Sequence, residues 1–386
     1  MFNSFPASKR RSPLPTRNFY ISHRETRAPS LRVILLQLLA KPKTVLLAVV
    51  GLLALLGWIL GIGRSVDRTR TTGGVKVVAR DWEERRTIKI ERDGKVKPDE
   101  MILILCPMKN SIEHIWHFFH LIDSLTYPRH LIQIGVLVSD STDRTYARAL
   151  ELADERQYSR PKSQRYDRIS IFRKDFADEM GFSAEERNLG GKERHKFGVQ
   201  VKRRKMLAVS RTWLLGAAMR PEVDWALWMD VDVVDYEKDM LQTLLGWSRK
   251  EAVDVVVPNC AWKTYNEMGS YDRNNWAETP ESLEMKSHLA PDDILIEGYE
   301  ADLPTHRLNM ADMVPPTAST PNSMALDGVG GCTALVRASL HRKGAVFPAW
   351  PVDHQVETEG FAQLAKALGG RLLGLPKYYV YHGLYG

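Results

Sequence analysis

The strongest constraint on this chain is an apolar run that ends in two carboxylates. Residues 225–234 read WALWMDVDVV. Continuous apolar character over a few residues fits a strand covered on both faces. If the strand runs through Asp230-Val231-Asp232, alternation puts both aspartates on one side. Two adjacent carboxylates repel each other and are costly to desolvate unless a cation joins them. Hard divalent cations such as Mg2+ and Mn2+ take oxygen ligands. The spacing therefore predicts a metal site at the strand end.

The surrounding pattern predicts an α/β fold with a mostly parallel central sheet flanked by helices. MILILC (101–106), IQIGVLV (132–138), ISIFR (169–173) and VDVVV (253–257) read as further strands. Helical spacing runs over 112–125 and 197–219, with the first stopped near Pro128. Residues 258–330 are irregular and rich in Pro, Asn and Asp, the composition of binding loops. No boundary interrupts 99–386, which is expected to be one domain.

Net charge is +7 over 386 residues, but nine Lys/Arg and one acid fall in residues 1–43. The tail thus carries 9 − 1 = +8, and the rest 7 − 8 = −1. A nucleic-acid partner is not expected, because the basic excess belongs to the tail. Residues 44–62 contain no charged residue and span roughly 28 Å as a helix, close to a bilayer core. With the basic flank on the cytosolic side, they predict a type II anchor followed by a stem over 63–98 and a lumenal domain. Cys106, Cys260 and Cys332 are too few for a disulfide framework. Cys106 reads as a small buried hydrophobe, and the count leaves room for one disulfide without indicating it.

In open α/β sheets, ligands bind outside the carboxyl ends of the strands. Candidates there are Pro107 and Lys109 after the first strand, and Asp140 after the second. Asp140 would meet a nucleoside or cap the following helix. On the 197–219 helix, Val199, Met206, Val209, Trp213 and Ala217 form an apolar stripe. Arg203 borders the stripe and needs an anion. Arg204 and Arg211 lie on the opposite, solvated face. His382 could add a nitrogen ligand to Asp230 and Asp232. The 271–278 cluster (YDRNNWAE) mixes aromatics, amides and acids as sugar sites do. Asp327 sits in a glycine-rich loop, and Glu357 opens an acid cluster before a helix.

Taken in order, CPMKN, VSDSTDRT, VKRRKMLAVSRTWLL, WALWMDVDVV, YDRNNWAET, LDGVGGCTALVR, VETEGFAQLAK and YVYHG resemble the fungal mannan polymerase family of Golgi α-mannosyltransferases. The resemblance covers about residues 95–386, and the length and short stem look most like the subunit shared by both mannan polymerase complexes. It implies a GT-A glycosyltransferase fold, GDP-mannose as donor, Mn2+ as cofactor, and extension of an α-1,6-mannose backbone on N-glycans. It also implies a hetero-oligomer of paralogous subunits at the Golgi membrane. By this resemblance Asp230 and Asp232 bind metal and diphosphate, His382 completes the metal shell, and Arg203 contacts the nucleotide. An α-linked donor giving an α-linked product means retention. Asp327 and Glu357 are then candidate nucleophiles, with front-face substitution as the alternative.

Two rival readings remain. DVDVV also fits the phosphatase motif whose first Asp is a nucleophile, although that motif normally opens its domain. A scaffold subunit with little activity of its own would share the fold.

Overall fold

A computed structural model describes residues 76–79, 100–183, 186, 197–264, 266–297 and 304–383. They belong to one compact unit, Thr69–Gly386. The basic tail, the expected anchor at 44–62 and most of the expected stem lie outside the described residues. Among the described residues, no helix is long and apolar enough to cross a membrane.

The first half alternates strand and helix. It runs β1 (Lys76–Ala79), β2 (Ile102–Met108), α1 (Ile115–Ser124), β3 (Ile132–Val138), α2 (Thr145–Asp154), β4 (Arg168–Arg173), α3 (Phe197–Ala218) and β5 (Trp225–Met229). Then come β6 (Val233–Tyr236), α4 (Met240–Glu251), β7 (Val255–Lys263), β8 (Met268–Ser270), β9 (Trp276–Ala277) and α5 (Pro280–Ser287). The chain closes with β10 (Leu308–Asn309), β11 (Met324–Ala325), β12 (Thr333–Arg337), α6 (Ala338–Arg342), α7 (Glu357–Ala367) and β13 (Leu372–His382).

The main sheet has the order β1-β4-β3-β2-β5-β12-β7-β13-β11, with β6 on β13 and β8 on β7. β4, β3, β2 and β5 are parallel, as strands joined by helical crossovers must be. The expectation of a mostly parallel sheet fails beyond β5. β12 returns from an irregular loop and runs antiparallel to both β5 and β7. β13 is again parallel to β7. The sheet is mixed.

Two apolar layers explain the continuous hydrophobic runs. Ile102, Ile104 and Cys106 of β2 face one core with α1, α2 and α4, while Leu103 and Leu105 face the other, with α3 and α7. Each fully buried Leu or Ile contributes roughly 1.5–3 kcal/mol. Pro107 lacks an N–H, and it falls past Leu105, where the pairing of β2 with β5 has already ended.

α3 corrects the helix-wheel expectation. Its buried residues include Gln200, Arg204, Ala208, Arg211, Leu215 and Ala218, spaced by three or four. Val199, Met206, Val209, Trp213 and Ala217 are only half-buried. Arg204 and Arg211 therefore point inward, because α7 and the end of β5 present carboxylates to that face.

Candidate functional site

The site is built where β5 stops. Asp230-Val231-Asp232 is a turn and not a strand segment, which corrects the reading of 225–234 as one element. Asp230 N–H donates to Cys332 O at 2.9 Å, continuing the ladder with the β12 side. β6 then departs to pair antiparallel with β13, in register Val233 to His382. Gly383 N–H donates to Asp232 O at 3.1 Å. The turn is thus bound at one end to β12 and at the other to β13.

A disulfide joins Cys260 of β7 to Cys332, 72 residues apart in sequence. Closing a loop of that length is worth about 4 kcal/mol in the chain-entropy description. Cys260 pairs with Val380, two residues before His382, so the bond ties together the strands that flank the turn. Cys106 is free and buried, as expected.

His382 is buried, and its Nε2 lies 2.9 Å from Asp232 Oδ1. Its Nδ1 meets Gly383 O at 2.8 Å, and Tyr271 stacks on the ring at 3.8 Å between centroids. Burial pulls the imidazole pKa down, but the Asp232 carboxylate outweighs this and leaves it raised. Burial pushes Asp232 up, and the same hydrogen bond leaves it lowered.

Asp230 occupies a recess. Burial pushes its carboxyl up to about 7, opposed by Arg211 and reinforced by Asp232. Yet Asp230 and Asp232 keep 33% and 28% of their side chains exposed, whereas Arg211, Glu357 and His382 keep 4%, 7% and 3%. The two aspartates look out, and the other three stand behind them. Arg211 Nη2 donates to Asp230 Oδ1 at 3.0 Å, and its Nε forms a 2.8 Å ion pair with Glu357 Oε1. The guanidinium lies 5.6 Å from the Trp228 ring and 5.7 Å from that of Phe347. Gly331 makes room for it, since a Cβ there would fall 2.6 Å from Nη2. Glu357 opens α7 with φ +57°, a conformation that costs a non-glycine residue about 1–3 kcal/mol.

Two carboxylates and an imidazole are the right donors for Mn2+. The 2.9 Å separation of Asp232 Oδ1 and His382 Nε2 matches neighbouring ligands on an octahedral ion, which stand about 3 Å apart when each bond is about 2.1 Å. As placed, however, no three His, Cys, Asp or Glu side chains among the described residues are gathered closely enough to hold a metal ion. Asp232 and His382 adjoin each other, and one oxygen of Asp230 is bonded to Arg211.

The other expected residues are scattered. Arg203 is half-buried on α3. Lys109 follows β2; burial pushes the Asp140 carboxyl up, but hydrogen bonds from Ser139, Ala177 and Phe176, with a smaller contribution from the Lys109 charge, leave it lowered. Asp140 does not cap α2. Its carboxylate accepts from Ser139 Oγ (2.6 Å) and from the N–H groups of Phe176 (3.1 Å) and Ala177 (3.0 Å), tying β3 to the loop after β4. Asp143 bonds the first turn of α2 instead, accepting from Thr145 N–H at 2.9 Å. Asp327 pairs with Lys366 and accepts from Glu278 N–H. Glu357 does reach the site, but its carboxylate faces Arg211. Trp276 is fully buried, so it offers no stacking face, while Tyr271 stacks on His382 and stays 43% exposed.

Sequence reasoning missed a double clasp between α3 and α7. Arg204 bonds Glu359 at 2.6 Å, and Arg211 pairs with Glu357. Trp276 Nε1 also donates to Glu359 at 2.8 Å, and the Arg307 guanidinium stacks on the Trp276 ring at 3.5 Å. The 4-4-3-4-3 spacing of Gln200, Arg204, Ala208, Arg211, Leu215 and Ala218 was the available sign.

The Anp1 family profile matches residues 86–351. The chain is 37% identical over 293 residues to the mannan polymerase complex subunit mnn9 of Schizosaccharomyces pombe, covering 76% of this chain and 82% of that protein. It is 34% identical over 307 residues to the mannan polymerase II complex anp1 subunit of the same organism, covering 78% of this chain and 68% of that protein. A solved mannosyltransferase, PcManGT from Pyrobaculum calidifontis in complex with GDP-Man and Mn2+, superposes with a TM-score of 0.41 at 13% identity, covering 79% of this chain and 63% of that one. On the profile and the two yeast relatives, this chain belongs to the Anp1 family.

Proposed function

We propose that the chain is a GT-A glycosyltransferase that moves mannose from GDP-mannose, with Mn2+, onto the α-1,6-mannan backbone of an N-glycan. The observation that carries this reading is the carboxylate turn locked against His382 at 2.9 Å, in a chain whose relatives are named mannan polymerase subunits. Asp230, Asp232 and His382 would hold the cation. When bound, the cation stabilises the negative charge that gathers on a diphosphate leaving group.

The protein's own groups supply the rest. Arg203 is assigned to the nucleotide diphosphate, and Pro107, Lys109 and Asp140 line the strand ends on the nucleoside side. Buried His382, backed by Tyr271, keeps its ring in one orientation toward Asp232. Neither candidate nucleophile presents a carboxylate: Asp327 faces Lys366 and Glu357 faces Arg211. That arrangement favours front-face substitution with retention.

Function within a hetero-oligomer is part of the proposal, supported by the subunit names of the relatives. So is a Golgi membrane location with residues 44–62 as a type II anchor. The same subunit names support a second reading, a scaffold that turns over little sugar alone. A transfer assay with GDP-mannose and mannobiose, with the product linkage read by NMR, separates the two. Formation of an α-1,6 product supports the enzyme, and its absence despite Mn2+-dependent GDP binding supports the scaffold.

A further inference from the structure

We infer that Arg211, braced by Glu357 and admitted by Gly331, is a positioning residue that sets the orientation of the Asp230 carboxylate for cation binding. The inference rests on the donor-site reading above and deepens it. Three observations carry it.

First, the contact is directional. One nitrogen, Nη2, takes Asp230 Oδ1 at 3.0 Å, which fixes one carboxylate oxygen, while 33% of the side chain stays exposed. Second, the guanidinium is itself immobilised. Its Nε is 2.8 Å from Glu357 Oε1, and Trp228 and Phe347 stand beside it. A planar guanidinium bonded through one nitrogen and ion-paired beside another transmits orientation in a way that a lysine ammonium does not. Third, the bracing has a cost that local folding does not explain. Glu357 is held with φ +57°, while its N–H donates to Pro348 O at 2.9 Å. Backbone strain of this kind persists where surrounding contacts over-determine it.

The charges also agree. Asp230, Asp232 and Glu357 contribute three negative charges and Arg211 one positive. With a cation bound, which requires ionised carboxylates and a neutral imidazole, the remaining −2 is what one divalent ion neutralises. Without Glu357 the balance would be −1, and Arg211 would compete with the cation for Asp230. Arg211 therefore cannot be read as a bare counterion to the aspartates, because Glu357 offsets its charge and leaves its geometry.

The test uses the full chain in detergent and two variants, Arg211→Lys and Glu357→Gln. Mn2+ binding in the presence of GDP is measured from the free Mn2+ signal in electron paramagnetic resonance, alongside thermal melting. The expected result is a rise in the Mn2+ Kd of about tenfold or more in Arg211→Lys and of several-fold in Glu357→Gln, the scale of one charge-assisted hydrogen bond. Melting should shift far less than the affinity in Glu357→Gln. Wild-type Mn2+ affinity in that folded variant overturns the positioning role, whether or not Arg211→Lys folds. If the wild-type chain itself binds no Mn2+ with GDP, the donor-site reading falls, and this inference with it.

Discussion

Replacing Gly331 with alanine should weaken the cation site without removing any charged group. Gly331 has no left-handed φ, so its backbone accepts a Cβ. That Cβ would lie 2.6 Å from Arg211 Nη2, against an ordinary contact of about 3.4 Å. The guanidinium must retreat by up to 3.4 − 2.6, or about 0.8 Å, unless the loop moves instead. Added to the 3.0 Å bond to Asp230, this opens the contact to about 3.8 Å, beyond hydrogen-bonding range. A hydrogen bond to a charged group is worth about 1.5–3 kcal/mol, or about ten- to one-hundred-fold in affinity. Titration calorimetry of GDP in the presence of Mn2+ should show that loss, with melting close to wild type. An unchanged Kd would show that Arg211 does not govern the carboxylate turn.

Asp232→Ala should abolish mannose transfer, by more than about 100-fold, while circular dichroism stays native; wild-type turnover would refute the cation site at this turn. Asp123 is held by Arg160 at 2.7 Å, Arg156 at 2.7 Å and the Tyr166 hydroxyl at 2.6 Å. Burial pushes its carboxyl up, but these partners outweigh it and leave it below its ordinary 3.8. Its stabilisation is therefore present above about pH 3.8 and lost as pH falls through the lower folded value. Asp123→Asn should cost about 3 kcal/mol, lower Tm by about 6–12 °C and flatten the acid limb of a Tm-against-pH curve. An acid limb identical to wild type would refute the assignment. Opening the disulfide with Cys260→Ser and Cys332→Ser should cost about 4 kcal/mol, read as a lower Tm that reductant does not depress further.

Elements whose cause is local were legible in the sequence. IQIGVLV forms β3 with the bounds its apolar run announces, and Phe197–Ala218 is the long helix its spacing implies. Asp232 and His382 do meet, at 2.9 Å, although the carboxylate comes from a turn and Asp230 bonds Arg211. Hydrophobic periodicity failed on α3 because this helix buries polar residues against partners more than 140 positions away, Glu357 and Glu359. A wheel drawn for one helix holds no record of what the opposing surface offers. Asp140 and Asp143 show the same limit on a smaller scale. Both sit before a helix and both suit a cap, but only the loop after β4 decides which of them is free to bond it. The antiparallel β12 was hidden for a topological reason, since its strand pattern does not say from which side the chain returns.

The Cys260–Cys332 bond has a consequence for how this family can vary. It brackets the irregular excursion from β7 to β12, pinning both of its ends beside β13 and β5, the strands that carry His382 and lead into the carboxylate turn. Loop length costs little once the ends are fixed, since entropy grows only as the logarithm of the span. Within the clamp, exposed segments that do not contact Tyr271, Asn274, Trp276, Arg307, Met310 or Gly331 can lengthen, shorten or change composition without moving Asp230, Asp232 or His382. Exposed positions in the 278–325 stretch can thus diverge between relatives around an unaltered carboxylate turn.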